Sequence, residues 1–310
     1  MNIRLAKNSG FCFGVKRAIK LAEETAQNYG QAITIGPIIH NPQMVQQLAN
    51  VGIKAIDDID SILQGPVIIR SHGIPQESLQ KLIEKQFQII DATCPDVAKA
   101  HKFAKLADKE NYKIFIVGDP WHPEIVALKS YIKSEAVIWR DGEQLPDKFY
   151  GKAAIICQTT QNSHSLEKLT GYLLPKCKEL RIFNTICNTT HVRQEASLDL
   201  AKVSDIMIVI GGKNSANTLM LTKLCSEYTT TKHIETVDEI DYNWFYTEKD
   251  KKIENIGITA GASTPDGIIA DIYNKIKVTV GEADSLVKTI NDIPGYKEEP
   301  HEFRDSKRKQ

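Results

Sequence analysis

Cys94-Pro95-Asp96-Val97-Ala98-Lys99-Ala100 leads into Ile114-Phe115-Ile116-Val117-Gly118, whose glycine stands 24 residues after the cysteine. Proline suits a first helical position. Four consecutive apolar residues closed by glycine read as a buried strand. The same spacing occurs twice more. Cys12 precedes Gly36 by 24 residues, behind the strand Ala32-Ile33-Thr34-Ile35. Cys187 precedes Gly211 by 24, behind Ile206-Met207-Ile208-Val209-Ile210. Self-similarity of this kind marks a repeated architecture.

Working outward, each unit has the same order of landmarks. A strand leads to the cysteine and a helix, then to a strand ending in glycine, a polar turn and a second helix. A further strand ends in a polar tip, and another helix follows. In the first unit, His40-Asn41-Pro42 opens the second helix, and Val67-Ile68-Ile69 ends at Ser71-His72-Gly73. In the second, His122-Pro123-Glu124 opens it, and Ala153 to Cys157 ends at Gln158-Thr159-Thr160. In the third, the cysteine helix reads as Gln194 to Lys202, and Asn214 to Asn217 opens the next. Ile256 to Thr259 then ends at Ala260-Gly261-Ala262-Ser263.

Strands alternating with helices predict parallel α/β layers, with ligands beyond the carboxyl ends of the strands. The expected fold is α/β: three pseudo-threefold-related α/β domains in a trefoil around a central site. The expected domains are 13–93, 94–186, and 1–12 together with 187–276. The strand preceding Cys94 ends the first unit and the strand preceding Cys187 ends the second. Residues 1–11 are therefore expected to complete the third and close a ring. Residues 277–310 read as a polar, disordered tail.

Composition narrows the function classes. Lys+Arg and Asp+Glu both number 39 in 310 residues, and 42% of the chain is hydrophobic. Zero net charge argues against a nucleic-acid partner. No apolar run approaches the length of a membrane span, and the N-terminus has no apolar signal core. A cytoplasmic enzyme is expected, with cysteines that bind metal or react rather than pair.

Aligning the units places His40, His122 and Ser215 four residues after the three glycines. Ser71-His72, Thr159-Thr160 and Ser263 fall at the strand tips. Below this polar pocket, Cys12, Cys94 and Cys187 lie at helix starts, where positive partial charge favours thiolates. Three thiolates on an iron–sulfur cluster would leave one iron open as a Lewis acid. Zinc on three cysteines remains open, because catalytic zinc sites also keep three protein ligands. Cys157 on a strand, and Cys177 and Cys225 in helical stretches, read as structural. His40, His72, Ser215, Asn217 and Ser263 read as an anion cradle. Glu124 reads as a proton carrier beside His122 and Thr159, or more simply as a helix-dipole partner.

These motifs together resemble the 4-hydroxy-3-methylbut-2-enyl diphosphate reductase family over residues 1–276. They are Gly10-Phe11-Cys12-Phe13-Gly14-Val15, Gly36-Pro37-Ile38-Ile39-His40-Asn41, Ser71-His72-Gly73, Asp91-Ala92-Thr93-Cys94-Pro95, His122-Pro123-Glu124, Gln158-Thr159-Thr160, Lys213-Asn214-Ser215 and Thr259 to Ser263. The resemblance implies one [4Fe-4S] cluster per chain on Cys12, Cys94 and Cys187, with one open iron. It implies an allylic diphosphate substrate that loses its hydroxyl as water, giving isopentenyl and dimethylallyl diphosphate. His40, His72, Ser215, Ala216, Asn217 and Ser263 would bind the diphosphate, and His122, Glu124 and Thr159 would position the hydroxyl and move protons. Ala216 departs from the family, which often has serine there, so only a backbone N–H is on offer. No strand is followed by Gly-x-Gly-x-x-Gly, so electrons are expected from an external flavodoxin- or ferredoxin-type donor. A non-redox iron–sulfur hydro-lyase and a zinc-binding interaction module are the alternative readings.

Overall fold

The computed structural model describes residues 1–246 and 252–281. It is built from three four-stranded parallel sheets. The chain begins with β1 (Asn2–Leu5) and α1 (Phe13–Tyr29). The first sheet follows as β2 (Ala32–Ile35), α2 (Pro42–Asn50), β3 (Ile53–Ile56), β4 (Val67–Ile69), α3 (Gln76–Glu84) and β5 (Ile89–Asp91). The second comprises α4 (Pro95–Lys109), β6 (Lys113–Val117), α5 (Pro123–Ser130), β7 (Val137–Trp139), β8 (Tyr150–Cys157), α6 (Ser163–Leu173) and β9 (Cys177–Phe183). The third comprises α7 (Asn188–Ala201), β10 (Ile206–Ile210), α8 (Ala216–Ser226), β11 (Thr230–Ile234), β12 (Asn255–Ala260) and α9 (Asp266–Val280).

The strand orders are β3-β2-β4-β5, β7-β6-β8-β9 and β11-β10-β12-β1. These are one arrangement repeated three times. In each, the outer strand β5, β9 or β1 delivers the chain to a cysteine. β1 pairs in parallel with β12, from Asn2 opposite Asn255 to Leu5 opposite Ile258. The N-terminal strand thus belongs to the last sheet.

Parallel sheets covered on both faces need strands that are apolar on both sides. β10 meets this need: Ile206, Ile208 and Ile210 pack with Ile269, Ile272 and Tyr273 of α9. Met207 and Val209 face the opposite way, against Leu200, Leu221 and Cys225. Cys225 and Cys157 are fully buried in such cores.

Four expectations need correction. α7 begins at Asn188, directly after Cys187, not near Gln194. Cys177 opens β9 rather than lying in a helix, because a short 3₁₀ turn containing Pro175 ends the helical stretch before it. The edge strands β3, β7 and β11 were not anticipated. Residues 277–280 are helical, not tail: Val280 is buried against the third core, and Gly281 at φ 62° ends the helix. The third unit therefore extends to about 280, and the rest of the expected tail lies outside the described residues.

Candidate active site

The backbone builds the site before any side chain acts. In each unit the cysteine N–H donates to the carbonyl of a strand tip. Cys12 N reaches Ala262 O at 3.1 Å, Cys94 N reaches Ser71 O at 2.9 Å and Cys187 N reaches Thr159 O at 3.0 Å. The glycines do a matching job at the sheet edges. Gly36, Gly118 and Gly211 donate to Ile56, Trp139 and Ile234, the last residues of β3, β7 and β11. Each sheet thus holds, at one end, its own polar turn and the cysteine that its outer strand delivers.

Each cysteine is the N-cap residue of its helix. Cys12 Sγ accepts from Val15 N at 3.4 Å, and Cys187 Sγ from Thr190 N at 3.3 Å. Cys94 makes no side-chain cap bond, and Pro95 starts its helix. Burial pushes the Cys94 thiol up to about 11 and raises that of Cys187. Burial opposes the free thiolate, so ionisation there calls for a bound cation that repays the desolvation.

Gly14 leaves room for these sulfurs. A Cβ at that position would lie 2.7 Å from Cys94 Sγ and 3.9 Å from Cys12 Sγ. Gly14→Ala is therefore expected to lose most of any metal that the thiols hold while staying folded, measured as metal per chain after anaerobic purification. Metal content equal to that of the unsubstituted protein would show that the gap is not needed.

Cys12, Cys94 and Cys187 line one cavity with His40, His72, His122, Glu124, Thr159, Ser215, Ala216, Asn217 and Ser263. Every residue expected at the site is brought to it. The cavity holds about 700 Å³ not filled by protein, part of it continuous with solvent.

One wall is a ring of three histidines. Ring centroids of His40 and His72 are 4.6 Å apart, those of His72 and His122 5.4 Å, and those of His40 and His122 5.7 Å. His40 Nε2, His72 Nδ1 and both polar atoms of the Asn217 amide are buried without a protein partner. Buried polar groups are rarely left so, and the cluster points to a polar ligand. His122 Nδ1 accepts from Glu124 N at 3.2 Å. Its Nε2 therefore carries the hydrogen in the neutral ring and can donate. That tautomer suits an anion better than a metal ion, although the three rings stand close enough for a metal. Burial lowers all three histidines, with His122 at about 4; His40 lowers His72 and His122 further, Arg70 lowers all three, and Asp119 works the other way on His122. Without an anion the ring is uncharged. Ser263 Oγ donates to His40 O at 3.2 Å, tying the third unit to the first.

Next to His122 lies Glu124, which is 1% exposed. Its carboxyl accepts from Thr159 N and Thr159 Oγ1, both at 2.7 Å. Burial pushes it up to about 7, against the pull of these two bonds, and Asp96 adds to the rise. A carboxyl that titrates near neutrality can give and take protons.

Three residues near the cavity were given no role by the sequence reading. Asp96 lines the cavity from the first turn of α4. Arg70, half-buried, lies against Gly36 and Asp57 behind the histidines. Arg193, in the segment after Cys187, also lines the cavity. Thr190, three residues after Cys187, was findable by N-cap spacing; a buried arginine carries no such signal.

Thiols beside a buried carboxyl that titrates near neutrality suit electron-and-proton chemistry, and the class that this fold and site together define is an α/β oxidoreductase. Comparison with known proteins supports that assignment. The LytB protein family model matches residues 3–277, and the chain belongs to that family. It is 43% identical over 281 residues to the 4-hydroxy-3-methylbut-2-enyl diphosphate reductase of Geobacter sulfurreducens, covering 89% of this chain and 97% of that one. It is 41% identical to the reductase of the same name from Trichlorobacter lovleyi, covering 89% and 98%. A solved structure of (E)-4-hydroxy-3-methyl-but-2-enyl diphosphate reductase, described as the terminal enzyme of the non-mevalonate pathway, superposes with a TM-score of 0.64. It is 39% identical and covers 89% of this chain and 99% of that one. The Plasmodium falciparum reductase structure superposes with a TM-score of 0.81 at 25% identity, covering 95% and 94%. Among the described residues no helix is long and apolar enough to cross a membrane.

Proposed function

We infer that this chain reduces (E)-4-hydroxy-3-methylbut-2-enyl diphosphate to isopentenyl and dimethylallyl diphosphate, the last step of the non-mevalonate isoprenoid pathway. Two electrons and two protons enter, the allylic C–O bond breaks, and the hydroxyl leaves as water. The observation that carries this reading is the meeting of three thiols, a buried proton carrier and unpartnered anion donors in one cavity.

The three thiols fit an iron–sulfur group of this reaction class. They are free, they sit at helix N-termini, and Gly14 keeps space between two of them. A [4Fe-4S] cluster held by Cys12, Cys94 and Cys187 would supply electrons singly and one open iron as a Lewis acid. Its electrons come from an external carrier of flavodoxin or ferredoxin type, in the cytoplasm. The domains are read as 13–93, 94–186, and 1–12 with 187–280; Cys94 opens the second, and Cys12 and Cys187 lie in the third.

The protein's own groups do the rest. His40, His72 and Asn217 offer unpartnered polar atoms to the diphosphate, and the N-terminus of α8 adds backbone donors. Ser215 Oγ accepts from Thr218 N at 3.4 Å, which leaves its own hydrogen free for the ligand. Ala216 contributes only its N–H. Anchoring the diphosphate holds the reacting carbon in place and lowers the entropy cost of reaction. Protonated Glu124 can donate through Oε2 to Thr159 Oγ1, which passes its own hydrogen to the departing hydroxyl.

Asn217→Ala removes the Nδ2 donor offered to an anion. Bonds to charged groups contribute about 1.5–3 kcal/mol each, so inhibition by inorganic diphosphate is expected to weaken by about tenfold to a hundredfold. An unchanged inhibition constant would remove Asn217 from the cradle.

Anaerobic purification with metal and sulfide analysis tests the reading as a whole. About four irons and four sulfides per chain, with turnover only when dithionite is present, are expected. Turnover without reductant would make the chain a hydro-lyase. One zinc and no acid-labile sulfide would make it a zinc module.

A further inference from the structure

Arg193 is 1% exposed and among the largest fully buried side chains of the protein. Its Nε donates to Asn8 O and its Nη2 to Gly10 O, both at 2.7 Å. These carbonyls belong to the segment that leads into Cys12. The third nitrogen, Nη1, is buried without a partner. Among the described residues no carboxylate oxygen lies within 4.0 Å of the guanidinium. A guanidinium stays protonated in proteins, and an unpaired buried charge is strongly destabilising. Two carbonyl bonds satisfy donors but supply no negative charge.

Its neighbours on the cavity would supply that charge once a bound cluster holds them as thiolates. Arg193 lines the cavity with Cys12 and Cys187, and these two are the groups whose ionised form stabilises it. Arg193 projects from α7, one turn after Thr190, whose N–H and hydroxyl hold Cys187 Sγ. It is therefore placed behind two of the three sulfurs, on the helix that one of them caps.

We propose that Arg193 is the counter-charge of the anionic cluster held by Cys12 and Cys187, and that it raises the cluster's reduction potential. The inference rests on the iron–sulfur reading above. Reduction adds one negative charge to a group that is already anionic. A fixed cation in a low-dielectric site stabilises the reduced form more than the oxidised form. Arg193 is a positioning residue in this role: it acts on the electron acceptor and touches no substrate.

The test compares Arg193→Gln with Arg193→Lys in anaerobically purified holoprotein, by redox titration followed by electron paramagnetic resonance. The glutamine variant is expected to be at least tenfold harder to reduce, a potential lower by about 59 mV for one electron. The lysine variant keeps the charge but loses the forked carbonyl contact, and is expected to stay near the unsubstituted protein. If the glutamine variant holds no cluster, a lysine variant with full iron and sulfide content supports the same conclusion. Unless the lysine variant stays nearer the unsubstituted protein than the glutamine one, the inference is overturned and Arg193 is only a clamp on Asn8 and Gly10. Failure of the iron–sulfur reading is seen separately, because the unsubstituted protein would then lack the cluster signal.

Discussion

Glu124→Gln is expected to keep its cluster and its affinity for substrate while turning over about 10²- to 10⁴-fold more slowly, the usual contribution of a positioned general acid. Gln preserves the acceptor for Thr159 N but has no acidic proton. The pH dependence gives the sharper check. Burial raises the Glu124 carboxyl to about 7, so its proton is present below that pH and lost above it. Turnover of the unsubstituted enzyme therefore falls as pH rises through about 7, and the residual activity of the variant lacks that limb. The same shift acts on stability. The folded protein holds a proton on Glu124 that the unfolded chain releases above its ordinary carboxyl range. Stability from this group is full below that range and is lost as pH rises through about 7. Near-normal turnover in Glu124→Gln, or an unchanged basic limb, would remove Glu124 from the proton path.

Glu124 also marks a boundary of what sequence can express. Its place in the first turn of α5 was legible, and a first-turn carboxylate is ordinarily favoured in its ionised form by the helix dipole. Burial outweighs the dipole and moves the group the other way, and burial is a property of three sheets meeting. The trefoil itself was legible because cysteine and glycine sit at backbone-determined points, the start of a helix and the end of a strand. What those glycines hold was not. β3 and β7 are four and three residues long, and β11 is Thr-Thr-Lys-His-Ile; all three are partly exposed edges. β3 and β7 are too short to show a period-two apolar signal, and β11 is too polar. They are ordered by pairing in parallel with β2, β6 and β10.

α7 was placed late for a related reason. The face it buries carries Thr190, Arg193, Gln194 and Ser197 before any leucine. Helix periodicity is read from apolar residues, and a helix that buries polar ones is invisible to it. That polar face is turned towards the cavity and towards the segment leading into Cys12. The apolar signal fails where the helix faces the cavity, and nothing in it showed that Arg193 is buried there.

Cys94→Ser is expected to lose cluster and turnover together while the fold survives. Cys94 is the one cysteine of the three whose sulfur makes no cap bond, and α4 starts on Pro95 without it. Removing the sulfur therefore costs the helix little. Its Sγ nonetheless lies where a Cβ on Gly14 would sit 2.7 Å away, at the packed centre of the site. Burial holds its thiol at about 11, so the ligand forms only with the metal present. A serine hydroxyl ionises far less readily and is a hard donor, poorly suited to an iron–sulfur cluster. Iron and sulfide near zero, with unchanged circular dichroism, are the expected measurements. Cys225→Ser is the control: it is equally a buried cysteine, but it packs with Leu200, Val209 and Leu221 away from the cavity. It is expected to keep full iron and lose about 1–3 kcal/mol of stability from a buried hydroxyl. Full iron and sulfide in Cys94→Ser would leave only two thiols as required ligands, and the threefold backbone bonds from cysteine to strand tip would then have no common purpose.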